Sequence, residues 1–177
     1  THLKNGQLRE VRERAAKEAQ KYGVEFHQTE WCFLGFYADP KKLDGFTADW
    51  KTKNYADMQT ALHMAKIIYA DFVFGGARSW SYWVATELRD GICALIDAEG
   101  FVEDAKKGRE MRPNKLLWAL GNYSFFIRPG YDRVSLEGAE DLDGVIASAY
   151  ASPDGGKIVA VFVNFKHGEV AAKVSLK

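Results

Sequence analysis

The sequence lacks an excess of charge and has very little cysteine. Its 24 lysine and arginine residues balance 24 aspartate and glutamate residues, so the formal net charge is zero. A balanced chain does not offer the basic face that nucleic acid or an anionic membrane would require, and we expect neither as a partner. Cys32 and Cys93 lie 61 positions apart and fit no C-x-x-C metal or redox spacing, which predicts two free thiols.

Long apolar runs are also missing. No run reaches the roughly 18 residues that a membrane span needs. No signal-peptide pattern opens the chain, which begins abruptly with Thr-His-Leu-Lys, so a leader could have been lost. Aromatic residues, in contrast, make up 14% of the chain. Surplus rings suit sugar binding because their apolar faces stack on pyranose C–H surfaces, although most Phe and Tyr side chains are individually core residues.

The first part of the chain predicts helices that alternate with strands. Two helices end at glycine and lead at once into a strand: 7–22 with Gly23 before strand 24–28, and 54 or 55 to about 74 with Gly75-Gly76 before strand 78–85. A helix, a glycine turn and a strand form an αβ unit of a parallel sheet, and two such units fit either a (β/α) barrel or a doubly wound sheet. The segment 33–54 has no steady periodicity and is expected to be a loop.

A third helix is expected over 114–127, and short β segments follow it. Four strands are predicted, over 133–136, 145–150, 157–164 and 170–176. Ser152 to Gly156 has the composition of a hairpin turn between the middle two. Four antiparallel strands with short turns are typical of part of a β-sandwich.

The candidate site residues lie where the two parallel strands end. They are Glu30 on the first strand and Trp80, Tyr82 and Trp83 on the second. In a parallel barrel these ends face the active site. Glu30 stands between Thr29 and Trp31, a setting that suits a nucleophile with one oxygen held by hydrogen bonds while the other attacks an anomeric carbon. The alternative is a surface or ion-paired carboxylate.

Four stretches of the chain carry a family likeness. They are Glu25-Phe-His-Gln-Thr-Glu-Trp-Cys, Ala61-Leu-His-Met-Ala-Lys with Asp71, Ser79-Trp-Ser-Tyr-Trp, and Lys115 to Arg133. In this order they resemble glycoside hydrolase family 30 over essentially the whole chain. The last stretch is the most specific, because its Leu-Gly-x-Tyr-Ser-x-Phe-Ile-x-Pro-Gly core looks like the family's final barrel helix running into its β-sandwich.

The resemblance implies an α/β fold in which a (β/α)8 TIM barrel is fused to a side β-sandwich. A complete barrel takes about 250 residues, so this chain looks like the C-terminal portion of such an enzyme. Residues 1–128 would carry about strands seven and eight with their helices, and residues 129–177 would form part of the antiparallel β-sandwich.

The resemblance also implies retaining hydrolysis by two glutamates. Glu30 matches the nucleophile that ends strand seven in the family. The acid/base glutamate follows an asparagine at the end of strand four, which would precede Thr1, and neither Glu87 nor Asp90 matches it. Because the mechanism needs both carboxyl groups, the chain alone is expected not to turn over substrate.

Four aromatic residues are candidates for contact with the sugar. Trp80 and Trp83 match the tryptophans of the strand-eight motif, which line the subsite of the sugar to be cleaved. Two tryptophans three apart cannot both point inward on an ideal strand, and we favour Trp83 over Trp80. Tyr82 has the opposite parity to Trp83 and is expected to pack. Trp31 is either a stacking platform or a cap of the loop.

The remaining polar candidates support the nucleophile rather than bind a metal. His27 and Gln28 precede Glu30 on the strand, and a histidine in this place is expected to be a hydrogen-bonded neighbour of the site. No second His or Cys is spaced to share a metal with His27, so no metal or cofactor is expected. His63 lies in a helix stripe and is expected to pack.

The sequence therefore predicts a secreted or periplasmic retaining hydrolase of β-linked glycans, with β-galactan or β-glucan favoured over xylan. Its partners would be an oligo- or polysaccharide substrate and either the remainder of the barrel or another copy covering the open sheet edge. Two alternatives stay open. One is a carbohydrate-binding module without catalysis, and the other is a structural fragment.

Overall fold

The computed structural model describes residues 5–32, 58–87, 94–97 and 111–175. The loop expected over 33–54, Cys93 and Asp90 lie outside these ranges. The chain divides into two compact units, Thr1–Phe126 and Ile127–Lys177. Both helices and small sheets are present, so the fold is mixed α and β. The assignment of residues 1–128 to a barrel and 129–177 to a sandwich stays a prediction.

The first helix and the first strand follow one another through a glycine cap, as the sequence predicts. Helix α1 spans Asn5–Tyr22, and strand β1 spans His27–Trp31 rather than the predicted 24–28. Gly23 has φ 64°, a conformation that glycine adopts without steric cost. The N–H groups of Gly23 and Val24 donate to the carbonyls of Gln20 and Ala19, at 3.2 and 3.0 Å. This pair of bonds is a Schellman motif, which ends α1 and directs the chain into β1.

The second helix is the centre of the first unit. Helix α2 spans Met58–Val73, and strand β2, Ser79–Tyr82, follows it. Most of the α2 side chains are buried, including Met64, Ile67, Ile68 and Tyr69. The helix ends before Gly75 and Gly76, as predicted, and Gly76 turns the chain with φ 63°. A helix buried over most of its surface cannot be a peripheral element, and among the described residues α1 and the later helix Lys115–Ser124 pack against it.

Strands β1 and β2 pair in parallel and are joined through α2. The β2 strand ends at Tyr82 rather than at Ala85, because β1 itself ends at Trp31. The chain then joins a second small sheet, made by strands β3, Thr86–Glu87, β4, Ile96–Asp97, and β5, Arg112–Pro113. The β3–β4 pair is parallel and the β4–β5 pair is antiparallel.

The third helix is shorter than the sequence predicts. Helix α3 spans Lys115–Ser124 rather than 114–127. Leu116 and Tyr123, seven residues apart, lie on its buried face, and Tyr123 Oη donates to the carbonyl of Ala65 in α2 at 3.5 Å. Trp118 is 61% exposed. Its position, two residues after Leu116, lies about 200° around the helix and therefore points away.

The second unit is a three-stranded antiparallel sheet. Strands β6, Asp132–Val134, β7, Val145–Ala151, and β8, Ile158–Asn164, are in sequence order, with β7 in the centre. The five residues from Ile146 to Tyr150 are all buried, so both faces of β7 are covered. On β8, buried Val161 and Val163 alternate with exposed Phe162. This alternation is the pattern of a strand with one covered face.

The fourth strand predicted for this unit, over 170–176, is wrong for the residues that are described. Residues 170–175 form no strand and are exposed. Val170 and Val174 have the same parity along the segment, but both side chains are exposed. Alternation specifies a strand only where one face is buried and a partner is available, and neither condition holds here.

The hairpin turn between β7 and β8 lies where it was predicted. The Ser152 hydroxyl and the Gly156 N–H both donate to Asp154 Oδ1, and the Lys157 N–H donates to Ser152 Oγ at 2.9 Å. The bonds from Ser152 and Gly156, the one from Ser152 first, lower the pKa of the Asp154 carboxyl below its ordinary value. Since hydrogen bonds favour the charged form, the turn is held best when Asp154 is ionised.

The pKa of Asp154 supplies a test of this turn. We expect ¹³C NMR of the carboxyl carbon to give a pKa below about 3.9, the ordinary aspartate value. The variant Ser152→Ala removes the largest contribution and should raise the pKa towards that value. The turn should be fully held above the ordinary pKa and should weaken as the pH falls through the lower folded value. An unchanged pKa in Ser152→Ala would contradict this account.

A second prediction concerns the glycine that follows α2. A Cβ atom at Gly75 would lie 2.6 Å from the Asp71 carbonyl oxygen and 3.0 Å from Phe26 Cε1. The free energy of unfolding of Gly75→Ala should therefore fall by about 1–3 kcal/mol in urea denaturation. Gly121→Ala is the control, because a Cβ there meets nothing within 4 Å. In a helix it should gain about 0.5–1 kcal/mol. Equal stability of the two variants would refute the clash.

Candidate active site

The predicted nucleophile lies on an irregularity in the pairing of β1 with β2. Three pairs of residues define the register: His27 with Ser79, Gln28 with Trp80, and Trp31 with Tyr82. Thr29 and Glu30 therefore oppose Ser81 alone, which is a β-bulge of two residues against one. Both bulged side chains are exposed. Bulges redirect side chains and are enriched beside active sites.

The bulge gives this strand pair one covered face and one open face. The covered face consists of Gln28, Trp31, Trp80 and Tyr82, which are buried or half-buried. The open face consists of His27, Glu30, Ser79 and Ser81, which are exposed. In a regular strand Trp31 and Gln28 would lie on opposite faces. The extra residue places Trp31 on the covered face and leaves Glu30 facing outward next to it.

A layer of aromatic rings lies under the bulge. The Trp31 ring is 5.9 Å from the rings of Trp80 and Tyr82, between centroids, and 6.4 Å from His63 of α2. Only 4% of Trp31 is exposed. Rings at these separations attract one another beyond their burial. The contact from His63 agrees with its expected packing role. A sugar contact by Trp31 stays a prediction, but the tryptophan belongs to the core.

A buried ion pair holds the aromatic layer from beneath. Arg12 Nε of α1 donates to Asp71 Oδ1 of α2 at 2.6 Å, and Trp80 Nε1 of β2 donates to Asp71 Oδ2 at 2.9 Å. The side chains of Arg12 and Asp71 are 6% and 1% exposed. Arg12 also donates through Nη1 to the Leu8 carbonyl at 3.3 Å. One carboxylate thus connects two helices and a strand.

On the open face, His27 connects the two strands by hydrogen bonds. Its Nε2 lies 3.2 Å from Glu25 Oε2, and its Nδ1 lies 2.8 Å from Ser79 Oγ. A carboxylate only accepts, so Nε2 carries the proton, and in the neutral ring Nδ1 then accepts from the Ser79 hydroxyl. Arg78 Nε lies 3.6 Å from Glu25 Oε1. The chain of contacts fixes the ring of His27 across the strand pair.

The two candidate tryptophans of the second strand have different surroundings. Trp80 is half-buried on the covered face and hydrogen-bonded to Asp71. Trp83 is 45% exposed, and its backbone N–H donates to the Trp31 carbonyl at 2.9 Å. The peptide bond between Trp83 and Val84 is cis. Trp83 lies just beyond the end of β2, so the parity argument for an ideal strand does not extend to it. Contact of either ring with a sugar stays a prediction.

Sequence reasoning missed Arg12 and Ser79 and gave no role to Asp71. A signal for Asp71 was present, because it is the single acid in the α2 helix. A lone carboxylate on a helix buried over most of its surface requires a buried cation or donor. Arg12 carried no comparable signal, since charged residues surround it on α1. Ser79 could be found only from the register of the two strands.

Two kinds of feature are absent from the described ranges. Among residues 5–32, 58–87, 94–97 and 111–175, no group of three or more His, Cys, Asp or Glu side chains could hold a metal ion. None of the helices within those ranges is long and apolar enough to cross a membrane.

The fold resembles that of a glycoside hydrolase domain. The chain is similar to the catalytic domain of GH30 xylanase C from Talaromyces cellulolyticus, with a TM-score of 0.52 and 23% sequence identity. The similarity covers 75% of this chain and 26% of that domain. No protein-family model matches the sequence. At this identity the likeness concerns the fold alone.

A second solved structure is similar over nearly all of the chain. It is a conserved exported protein from Bacteroides fragilis, with a TM-score of 0.71 and 24% sequence identity. The similarity covers 94% of this chain and 34% of that protein. The chain therefore spans about a third of the length of one similar structure and about a quarter of the other.

The burial of Trp31 leads to a test of its role. Replacement of a buried tryptophan by alanine leaves a cavity, so Trp31→Ala should lose about 3–5 kcal/mol of unfolding free energy. Trp118→Ala is the matched control on an exposed site and should change stability by about 0.5 kcal/mol or less. Denaturant midpoints measure both. Equal effects would remove Trp31 from the core and favour the stacking platform.

Proposed function

We propose that this chain is part of a retaining glycoside hydrolase and that Glu30 is its nucleophile. The observation that carries the proposal is the exposed carboxylate on a bulge at the C-terminal end of a parallel strand. The likeness to a GH30 xylanase catalytic domain supports it at the level of fold. The acid/base glutamate is proposed to lie in a part of the protein that precedes this stretch.

The chemistry of the open face is consistent with this role. Retaining hydrolysis needs two carboxyl groups about 5–5.5 Å apart, one to attack the anomeric carbon and one to protonate the leaving oxygen. Glu30 supplies the first and is free of the aromatic layer beneath it. The half-exposed ring of Trp83 is the proposed stacking surface for the sugar, since an aromatic face complements pyranose C–H groups.

The architecture proposed for the whole protein is a (β/α)8 barrel with a side β-sandwich. A parallel pair connected through a buried helix supports the barrel, because parallel strands occur almost only in sheets covered on both faces. Among the described residues this sheet has two strands, and a barrel would place a further strand at each outer edge. The proposed neighbours at these edges are the rest of the barrel or a second copy of the chain. The antiparallel sheet of β6 to β8 is the proposed sandwich part.

For the substrate we propose a β-linked glycan, with β-galactan or β-glucan favoured. The similar xylanase makes β-xylan the first competing substrate to test. The proposed location is secreted or periplasmic. The similar exported protein supports that location, and an extracellular polysaccharide requires it.

The direct test is covalent trapping in the longest natural polypeptide that contains this sequence. A 2-fluoro glycoside with a good leaving group should form a stable ester with Glu30, found by mass spectrometry of the labelled peptide. Glu30→Gln should lower kcat on the best of β-galactan, β-glucan and β-xylan by at least about 10³-fold. ¹H NMR of the first product should show retention of the anomeric configuration.

Glu10→Gln, on the exposed side of α1, is the matched control and should keep wild-type activity. Full activity of Glu30→Gln, or labelling of another residue, would overturn the assignment of the nucleophile. Saturable glycan binding without hydrolysis by the same polypeptide would instead favour a carbohydrate-binding role. The 177-residue chain alone is expected to be inactive, because the acid/base glutamate is proposed to lie outside it.

A further inference from the structure

Both oxygens of the Asp71 carboxylate are engaged by different elements. Oδ1 accepts from Arg12 Nε at 2.6 Å, and Oδ2 accepts from Trp80 Nε1 at 2.9 Å. The side chains of Arg12 and Asp71 are almost completely buried. The guanidinium balances the charge, and the bond to the indole uses the remaining oxygen. This second bond is directional, since an indole has a single donor in the plane of its ring.

The Trp80 indole contacts Asp71 through its nitrogen and Trp31, next to the bulge, through its ring. Its ring lies 5.9 Å from that of Trp31, between centroids. Trp31 is the residue after Glu30, and it closes the bulge by pairing with Tyr82. The Trp31 carbonyl also accepts a hydrogen bond from the backbone N–H of Trp83. The orientation of Trp80 therefore limits where Trp31, and with it the bulged segment, can lie.

We propose that Asp71 is a positioning residue that acts through Trp80. It fixes the plane of the indole, the indole fixes Trp31, and Trp31 sets the direction in which Glu30 leaves the bulge. This inference rests on the proposed function of Glu30 and deepens it. It also gives Trp80 a role different from sugar contact, because its polar atom is bound to Asp71 on the covered face.

Asparagine at position 71 separates the two bonds. An amide has one acceptor oxygen, and its NH₂ group would face a donor on the other side. The charged Arg12 forms the stronger bond and should take the oxygen. In Asp71→Asn the NH₂ group then faces Trp80 Nε1–H, so that bond is lost and the plane of the Trp80 ring is no longer fixed, although the side chain itself is retained. The variant thus breaks the proposed link at one point.

The test uses ¹⁹F NMR of the chain labelled with 5-fluorotryptophan. The chain has five tryptophans, so five signals must be resolved. Single Trp→Phe variants assign the signals. In Asp71→Asn the signals of both Trp80 and Trp31 should move by more than their line widths. Glu10→Gln, an exposed carboxylate on α1, should move neither. If the Trp31 signal stays in place in folded Asp71→Asn, the proposal is overturned.

A double-mutant cycle tests the route through Trp80. In the Trp80→Phe background the indole donor is gone, so Asp71→Asn should no longer move the Trp31 signal. A Trp31 shift of the same size in both backgrounds would show that Asp71 acts by another path and would also overturn the proposal. This arm needs no substrate, so its result does not depend on whether the protein is a glycosidase.

The kinetic arm uses the active polypeptide and the variant Trp80→Phe. This variant keeps the Arg12–Asp71 pair, so it can be measured even if Asp71→Asn does not fold. Well below the melting temperature, kcat should fall about 10- to 100-fold, as expected for a small misplacement of a reacting group. KM should stay within about twofold, because a residue that only positions the nucleophile does not bind the sugar. Trp118→Phe, exposed on α3, should change neither.

A large rise in KM for Trp80→Phe would assign the ring to sugar contact and overturn the positioning role. A wild-type kcat in Trp80→Phe would also overturn the positioning role. If the wild-type polypeptide hydrolyses no glycan while the ¹⁹F results hold, the proposed function fails and the coupling from Asp71 to Trp31 stands.

Discussion

The buried pair of Arg12 and Asp71 is the constraint on which the first unit depends. It joins α1 to α2, and through Trp80 it joins both helices to β2. Removal of one partner from such a pair costs about 3–5 kcal/mol, because the other charge is left without compensation in a site of low dielectric. That is a large part of the stability of an ordinary domain. The position of the strand pair relative to the helices is therefore set by a polar contact, within a core that is otherwise apolar.

The strand pair divides two tasks between its faces. The covered face holds rings that pack on α2, and the open face carries the groups that can take part in chemistry, with Glu30 at its end. His27 lies on the same open face and is fixed by Glu25 and Ser79. In the proposed nucleophile role Glu30 must be held in one place, and the packed rings beneath it support the strand that carries it. The resemblance to a glycoside hydrolase domain concerns the fold alone.

The sequence predicts the order of the elements well, because glycine signals are local. Gly23 and Gly76 have positive φ, and each follows a helix whose end was predicted. What it does not predict depends on contacts between distant residues. The bulge arises from the register of β1 against β2, and the burial of Arg12 requires Asp71, 59 positions away. The strand expected over 170–176 shows the opposite error, since its alternation is present but no apolar face is buried. Local chemistry sets where elements end, and tertiary contacts decide which of them pair.

The bulge has a consequence for how such a site can arise. A regular strand ties each outward side chain to the inward side chains on either side of it, so a change of register affects both faces at once. One additional residue relaxes that tie at a single point, and in genetic terms it corresponds to three in-frame nucleotides. The outward face of β1 can then vary under selection for reactivity while Trp31 and its neighbouring rings are preserved by selection for packing. A carboxylate displayed on a bulge can thus be exchanged without a change in the core on which it stands.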